Sequence, residues 1–226
     1  HLHKGDDECF KSATISSCLL TTASLHHQKT FNHLNFDEAP KKLFSDQEFR
    51  HLFNLPGGTR VIAAAGRMVN QKGFDVLIKA FSLLKSNSVH LILFGEGREK
   101  QKLAQLAISL GVIGKICFAG YHEDIAKFMN KFDLYVQPSR FEGVPNALLE
   151  AMGAGCPVIG TAVDGIEEVI EGDRYGSLVM SEQPEQLAEA IDHALNNRVE
   201  VLSRAKRGRE RVWNLCDKKQ IMRQWR

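Results

Sequence analysis

From Arg60 onward the chain repeats one arrangement: a short apolar run, a polar or glycine-bearing turn, then a segment whose apolar residues recur at helical spacing. The runs are Val61 to Ala65, Val89 to Phe94, Ile116 to Ala119, Leu134 to Val136 and Pro157 to Gly160. Between them, Phe74 to Leu84 places Phe74, Leu77, Ile78, Phe81 and Leu84 on one helical face, and Glu99 to Leu110, His122 to Asn130 and Asn146 to Met152 read as further helices. Strands that alternate with helices across short loops need crossover connections, and crossovers need a parallel sheet. The unbroken run HLILF at His90 to Phe94 fits a strand covered on both faces. The expected fold class is therefore α/β, a Rossmann-like parallel sheet with helices on both faces. Ile166 to Ile170 reads as a short helix, Gly176 to Val179 as an edge strand, and Pro184 to Leu195 as a helix with proline near its first turn. Val199 to Arg226 reads as a terminal helical region broken or kinked near Gly208, its basic run Lys206, Arg207, Arg209 and Arg211 a solvated face.

The segment before Arg60 is less regular. Thr14 to Thr22 reads as a strand and turn, Asp37 to Lys42 as a polar connection, and Asp46 to Phe53 as a short helix ahead of Pro56-Gly57-Gly58. The expected division is residues 1–56 as the remnant of a preceding domain with its connection, and 57–226 as the main domain. His26, His27 and His33 have no acidic or cysteine neighbour at ligand spacing and are read as a linker, not a metal site. The chain begins at His1 without methionine, which is expected of a fragment or processed product.

Bulk properties remove several classes. A net charge of +2 over 226 residues favours neither nucleic acid nor an anionic membrane. No run of 18 apolar residues is present, and Ile15 to Ala23 is too short and too rich in Ser and Thr for a signal-peptide core. The five cysteines are odd in number and scattered, as expected of reduced thiols in a cytoplasmic protein.

In parallel sheets ligands bind beyond the carboxyl ends of the strands. The polar and glycine-bearing stretches fall there: Gly66-Arg67, Gly95-Glu96-Gly97, Gly120-Tyr121, Ser139 to Gly143 and Thr161 to Gly165. Gly143-Val144-Pro145-Asn146 precedes a helix whose first backbone donors could seat a phosphate. Glu142 and Glu150 flank that helix start. They read either as acceptors for neutral hydroxyls on either side of a diphosphate or as ordinary favourable acids near a helix N-terminus. Arg67 and Lys72 follow the first strand and could reach the same phosphates, or be surface bases. His122 follows Gly120-Tyr121 and is placed to line the cleft. Gly95-Glu96-Gly97 lacks the third glycine of a dinucleotide fingerprint, no Walker loop is present, and Ser139 occupies no nucleophile elbow.

Taken together, Gly66-Arg67 with Lys72-Gly73, FGEG at Phe94 to Gly97, FAGY at Phe118 to Tyr121, and PSRFEGVPNALLEAMGAGCPVIGT with its E-x7-E pair Glu142 and Glu150 closely resemble the carboxyl-terminal domain of the large retaining glycosyltransferase family, family four, of the GT-B fold. The resemblance covers roughly Arg60 to Arg226. It implies the second half of a hexosyltransferase-type enzyme that transfers a sugar, with retention, from a nucleotide diphosphate sugar to an acceptor hydroxyl. By the same resemblance Arg67, Lys72 and Glu142 are the catalytic residues: the two bases neutralise the donor diphosphate and the glutamate meets the sugar near its C3 and C4 hydroxyls. Gly143, Val144 and Pro145 contact sugar and phosphate, Glu150 holds the ribose, and Tyr121 and His122 lie where the nucleobase is cradled. Gly95 and Gly97 let the strand end approach the ligand.

No metal and no cofactor are implied; the partners are the nucleotide-sugar and an amino-terminal acceptor-binding domain for which this chain has too few residues. Peripheral attachment to the cytoplasmic face of a membrane through that domain stays open, and nucleic acid is not expected as a partner. The alternatives are a nucleotide-sugar binding module without catalysis, a non-hydrolysing sugar-nucleotide epimerase and a purely structural domain.

Overall fold

A computed structural model describes residues 44–123 and 125–216. Thr14 to Thr22, His26, His27, His33 and Asp37 to Lys42 lie outside the described residues.

The described chain opens with α1 (Asp46–Leu52), whose start is fixed by a reciprocal cap. The Glu48 amide donates to Ser45 Oγ and the Ser45 amide to Glu48 Oε2, at 3.1 and 2.8 Å. Six strands and four helices follow: β1 (Arg60–Ala65), α2 (Phe74–Ser82), β2 (Val89–Phe94), α3 (Lys100–Ser109), β3 (Ile116–Gly120), β4 (Leu134–Gln137), α4 (Asn146–Gly153), β5 (Val158–Thr161), α5 (Ile166–Ile170) and β6 (Ser177–Val179). Two carboxyl-terminal helices, α6 (Pro184–Asn196) and α7 (Arg198–Cys216), complete it.

All six strands are parallel, in the order β3-β2-β1-β4-β5-β6. The expected doubly wound Rossmann-like sheet is present, with β6 at the expected edge. Residues 61–65 of β1 and 91–94 of β2 are buried throughout, as a strand covered on both faces requires. Phe74, Leu77 and Phe81 of α2 pack into the same core as Leu187, Ile191 and Leu195 of α6.

Two expectations fail. His122 to Asn130 is not an α-helix: 3₁₀ turns at Ile125–Lys127 and Met129–Lys131 replace it. The connection must pass β2 and β1 to reach β4, three strand positions or roughly 14 Å across the sheet. Tertiary packing overrides the helical pattern: Phe128, Met129 and Phe132 are buried, and the Phe128 and Phe132 rings pack against Phe49 and Phe94. The second failure is the break at Gly208, for α7 is continuous through it. A Cβ there would lie 2.9 Å from the Tyr175 carbonyl oxygen and 3.2 Å from Met152 Cε, so the glycine serves close packing. Gly208→Ala should gain about 1 kcal/mol of helix propensity and lose about 2 kcal/mol to overpacking. A melting temperature lowered by a few degrees is expected, and a raised one would refute the packing argument.

Candidate active site

The strand order reverses between β1 and β4, which opens a crevice at their carboxyl ends. The loops leaving these two strands, residues 66–73 and 138–145, therefore meet across it. Gly73 closes the first loop in the left-handed region, with φ +63, and a Cβ there would sit 1.8 Å from the Pro138 carbonyl oxygen. Only glycine meets both demands.

Around this contact the loops are tied by polar bonds. The Arg140 amide donates to the Gln71 carbonyl at 2.8 Å, and Gln71 Nε2 to the Phe141 carbonyl at 3.1 Å. The Arg140 guanidinium grips Asp75 through two bonds of 2.8 and 2.9 Å and also pairs with Glu182. Burial would raise the Asp75 pKa, but the hydrogen bonds and charge of Arg140 outweigh it and hold the carboxyl below its usual value.

Lys72 and Glu142 form the centre of the contact. Lys72 Nζ lies 2.5 Å from Glu142 Oε2, with the two side chains 15% and 9% exposed. Arg67, earlier in the same loop, is exposed and makes no ion pair among the described residues.

Beyond Glu142 the chain turns through Gly143, which is exposed and would have open space around a Cβ, and half-buried Val144. Pro145 flanks the helix and provides no side-chain cap. The amides of Ala147 and Leu148 find no acceptor among the described residues, and Asn146 Oδ1 is buried without a partner. One to two turns in, Glu150 makes no side-chain hydrogen bond or ion pair among the described residues. Burial alone pushes its carboxyl up to about 7.

The remaining expected residues sit elsewhere at the sheet's carboxyl edge. Tyr121 is 76% exposed after β3. The His122 side chain lies among rings, its centroid 5.5 Å from Phe94, 5.8 Å from Phe128 and 5.9 Å from Phe53, with Nε2 3.2 Å from the Ala119 carbonyl. Gly95 and Gly97 allow backbone to approach backbone: a Cβ would fall 2.0 Å from the Gly66 oxygen and 2.4 Å from the Met68 oxygen. The fold thus brings Lys72 to Glu142 and packs the loop of Gly95 and Gly97 against the one carrying Arg67.

Sequence reasoning passed over Tyr135 and Gln137 and gave Ser139 and Thr161 no role; all four are buried and polar, and Ser139 bonds Glu142. A signal was available: Tyr-x-Gln-x-Ser places three polar side chains at strand period in an otherwise apolar run.

Among the described residues no group of three or more His, Cys, Asp and Glu is placed to hold a metal, and no helix is long and apolar enough to cross a membrane.

A family model described as glycosyl transferases group 1 matches residues 45–211. Lipopolysaccharide core biosynthesis glycosyltransferase LpsE of Rhizobium meliloti is 33% identical over 161 residues, which are 71% of this chain and 47% of LpsE. Among solved structures, HepE of Anabaena superposes with a TM-score of 0.74 at 23% identity, over 83% of this chain and 53% of HepE. TarM of S. aureus, solved as a mutant in complex with fondaparinux, alpha-GlcNAc-glycerol and UDP, superposes with a TM-score of 0.69 at 26% identity, over 77% of this chain and 36% of TarM. The chain thus spans about half the length of LpsE and HepE, and less of TarM.

Proposed function

Because this chain belongs to the glycosyl transferases group 1 family, we propose that it is the carboxyl-terminal, donor-binding half of a retaining family-four hexosyltransferase. The whole enzyme transfers a sugar from a nucleotide diphosphate sugar to an acceptor hydroxyl. Residues 57–226 form the donor domain, and residues 1–56 belong with the preceding acceptor-binding domain and its connection. That other half carries any attachment to the cytoplasmic face of a membrane.

The observation that carries this reading is Glu150. A mostly buried carboxyl raised to about 7, with no protein partner among the described residues, costs the fold free energy when ionised. A ribose diol would supply two hydroxyl donors and offset that cost. TarM, which shares this fold at 26% identity, was solved in complex with UDP.

The other groups then fall into order. The diphosphate sits between the loop after β1 and the start of α4, where Arg67 and the amides of Ala147 and Leu148, unpaired among the described residues, can receive it. An ammonium has three donors, so Lys72 can hold Glu142 with one and face the phosphates with the others. As the bond from the anomeric carbon to the diphosphate oxygen breaks, the charge developing on that oxygen meets Lys72 and Arg67. Glu142 orients the sugar through its hydroxyls and need not act as nucleophile. Tyr121, His122 and the backbone at the end of β3 border the nucleobase, and Gly143, Val144 and Pro145 border the sugar.

The test is calorimetry of the 226-residue chain against UDP, GDP, ADP and their hexose conjugates. At least one nucleotide should bind weakly, and Glu150→Ala should remove it. Failure of every nucleotide to bind, or indifference to Glu150→Ala, would sink the reading. The chain alone should transfer sugar to no acceptor at ordinary enzyme rates.

A further inference from the structure

Alternate residues of a strand face one side, and Tyr135, Gln137 and Ser139 occupy alternate positions along β4 and its continuation. They are 0%, 3% and 0% exposed, in a strand flanked by β1 and β5. Three polar side chains in such a place are tolerated only when each is hydrogen-bonded. Here each is. The Tyr135 hydroxyl donates to Gln137 Oε1 at 2.8 Å, Gln137 Nε2 donates to Ser139 Oγ at 2.9 Å, and Ser139 Oγ donates to Glu142 Oε2 at 3.3 Å.

The neighbouring strands hold both ends of this row. Tyr135 Oη also lies 3.4 Å from the Ala65 carbonyl at the end of β1. Thr161 Oγ1 at the end of β5 donates to the Ser139 carbonyl at 2.5 Å. The row has a single polarity, because an ionised carboxylate only accepts and so directs the serine proton toward itself.

Glu142 Oε2 is therefore occupied twice, by Ser139 Oγ and by Lys72 Nζ. Oε1 has no hydrogen bond among the described residues, and it is not one of the sealed, unpartnered side-chain atoms, which are His90 Nδ1, Asn146 Oδ1 and Arg211 Nε. It opens to solvent. A carboxylate on a turn would otherwise rotate about its last torsion and offer either oxygen.

We propose that Tyr135, Gln137 and Ser139 are positioning residues that lock Glu142 so that Oε1 alone is presented to the donor, as the acceptor for a hydroxyl of the transferred sugar. The inference rests on the nucleotide-sugar reading above and deepens it. One fixed acceptor oxygen selects sugars that carry a hydroxyl at the matching position and configuration. A deoxy or epimeric sugar there loses the contact and leaves a partly buried carboxylate oxygen unsatisfied.

A row that served only the fold would affect all ligands alike, so the deciding quantity is the ratio of nucleotide-sugar to nucleoside diphosphate affinity. It is measured by calorimetry on the full chain with UDP, GDP and ADP and with their glucose, galactose, mannose and N-acetylglucosamine conjugates. Ser139→Ala and Gln137→Met should each weaken the best-bound nucleotide-sugar about 10-fold and leave the parent nucleoside diphosphate at its wild-type affinity. Ser139→Thr, which keeps the hydroxyl, should retain the wild-type ratio. Should Ser139→Ala not fold, Gln137→Met and Ser139→Cys carry the test. The proposal is overturned if the ratio is unmoved in the folded variants, or if both affinities fall together. It also falls alone if the wild type binds a nucleoside diphosphate to which no sugar adds affinity. If the wild type binds no nucleotide at all, the functional reading falls and takes this inference with it.

Discussion

Replacing Lys72 by Met should destabilise the chain by about 3 kcal/mol and weaken nucleoside diphosphate binding about 100-fold. The stability loss follows from what is left behind. Glu142 would stay almost buried, its side chain 9% exposed, with the Ser139 hydroxyl as its one remaining donor. An uncompensated charge in such a place costs far more than the pair was worth. Lys72 also leads directly into Gly73, whose contact with Pro138 joins the two loops of the crevice, so the damage should concentrate at the site. Chemical denaturation separates the two losses. The double variant Lys72→Met with Glu142→Gln removes both charges and should recover most of the stability, but none of the nucleotide affinity. If Lys72→Met alone were as stable as wild type, the pair would be incidental. If the double variant bound nucleotide normally, Lys72 would have no part in holding the diphosphate.

Glu150→Gln should act in opposite directions on stability and on binding. The Glu150 carboxyl is raised by burial from 4.5 to about 7. Below pH 4.5 it is protonated in both the folded and unfolded chain and contributes nothing. Between 4.5 and about 7 the folded chain keeps a proton that the unfolded chain releases, so stability falls as pH rises. Above about 7 the full penalty, about 3 kcal/mol, is present. A glutamine carries no such penalty. The variant should be more stable than wild type by about 2 kcal/mol at pH 8, should match it at pH 4, and should lose nucleotide binding at every pH. In the wild type, binding a ribose diol favours the ionised carboxylate, so nucleotide binding should release protons near pH 6. Calorimetry in buffers of different ionisation enthalpy would count them. Identical pH–stability curves for variant and wild type would show that the carboxylate is not desolvated as described. Retained nucleotide binding would remove its assigned contact.

Taken residue by residue, the sheet was readable because parallel strands buried on both faces are unbroken apolar runs. Val89 to Phe94 was bounded to the residue, and Ile166 to Ile170 likewise. The connection from β3 to β4 was misread because an apolar period cannot report which distant rings a segment must meet. The two 3₁₀ turns there carry Phe128 and Phe132 against Phe49 and Phe94, which lie far off in sequence. Gly208 was misread for a related reason. A glycine in a helical pattern signals either weakness or close approach, and only the Tyr175 carbonyl beside it distinguishes them.

The site divides along the same line. Glycines, bases and acids at strand ends were visible locally, since residue type and spacing mark where a chain turns and what chemistry it carries there. Their partnerships were not. Lys72 and Glu142 are far apart in sequence and come within 2.5 Å because β1 and β4 lie side by side. Nor was the setting of His122, whose ring packs with Phe53, Phe94 and Phe128, drawn together from three separate segments. The sequence by itself determined the parallel sheet, its chemical groups and the edge on which they gather, because these follow from periodicity and backbone preference. Tertiary structure alone decided which oxygen of Glu142 is bound, which carboxylate goes unpartnered and which loops touch, because those depend on strand order and on distances that no local pattern encodes.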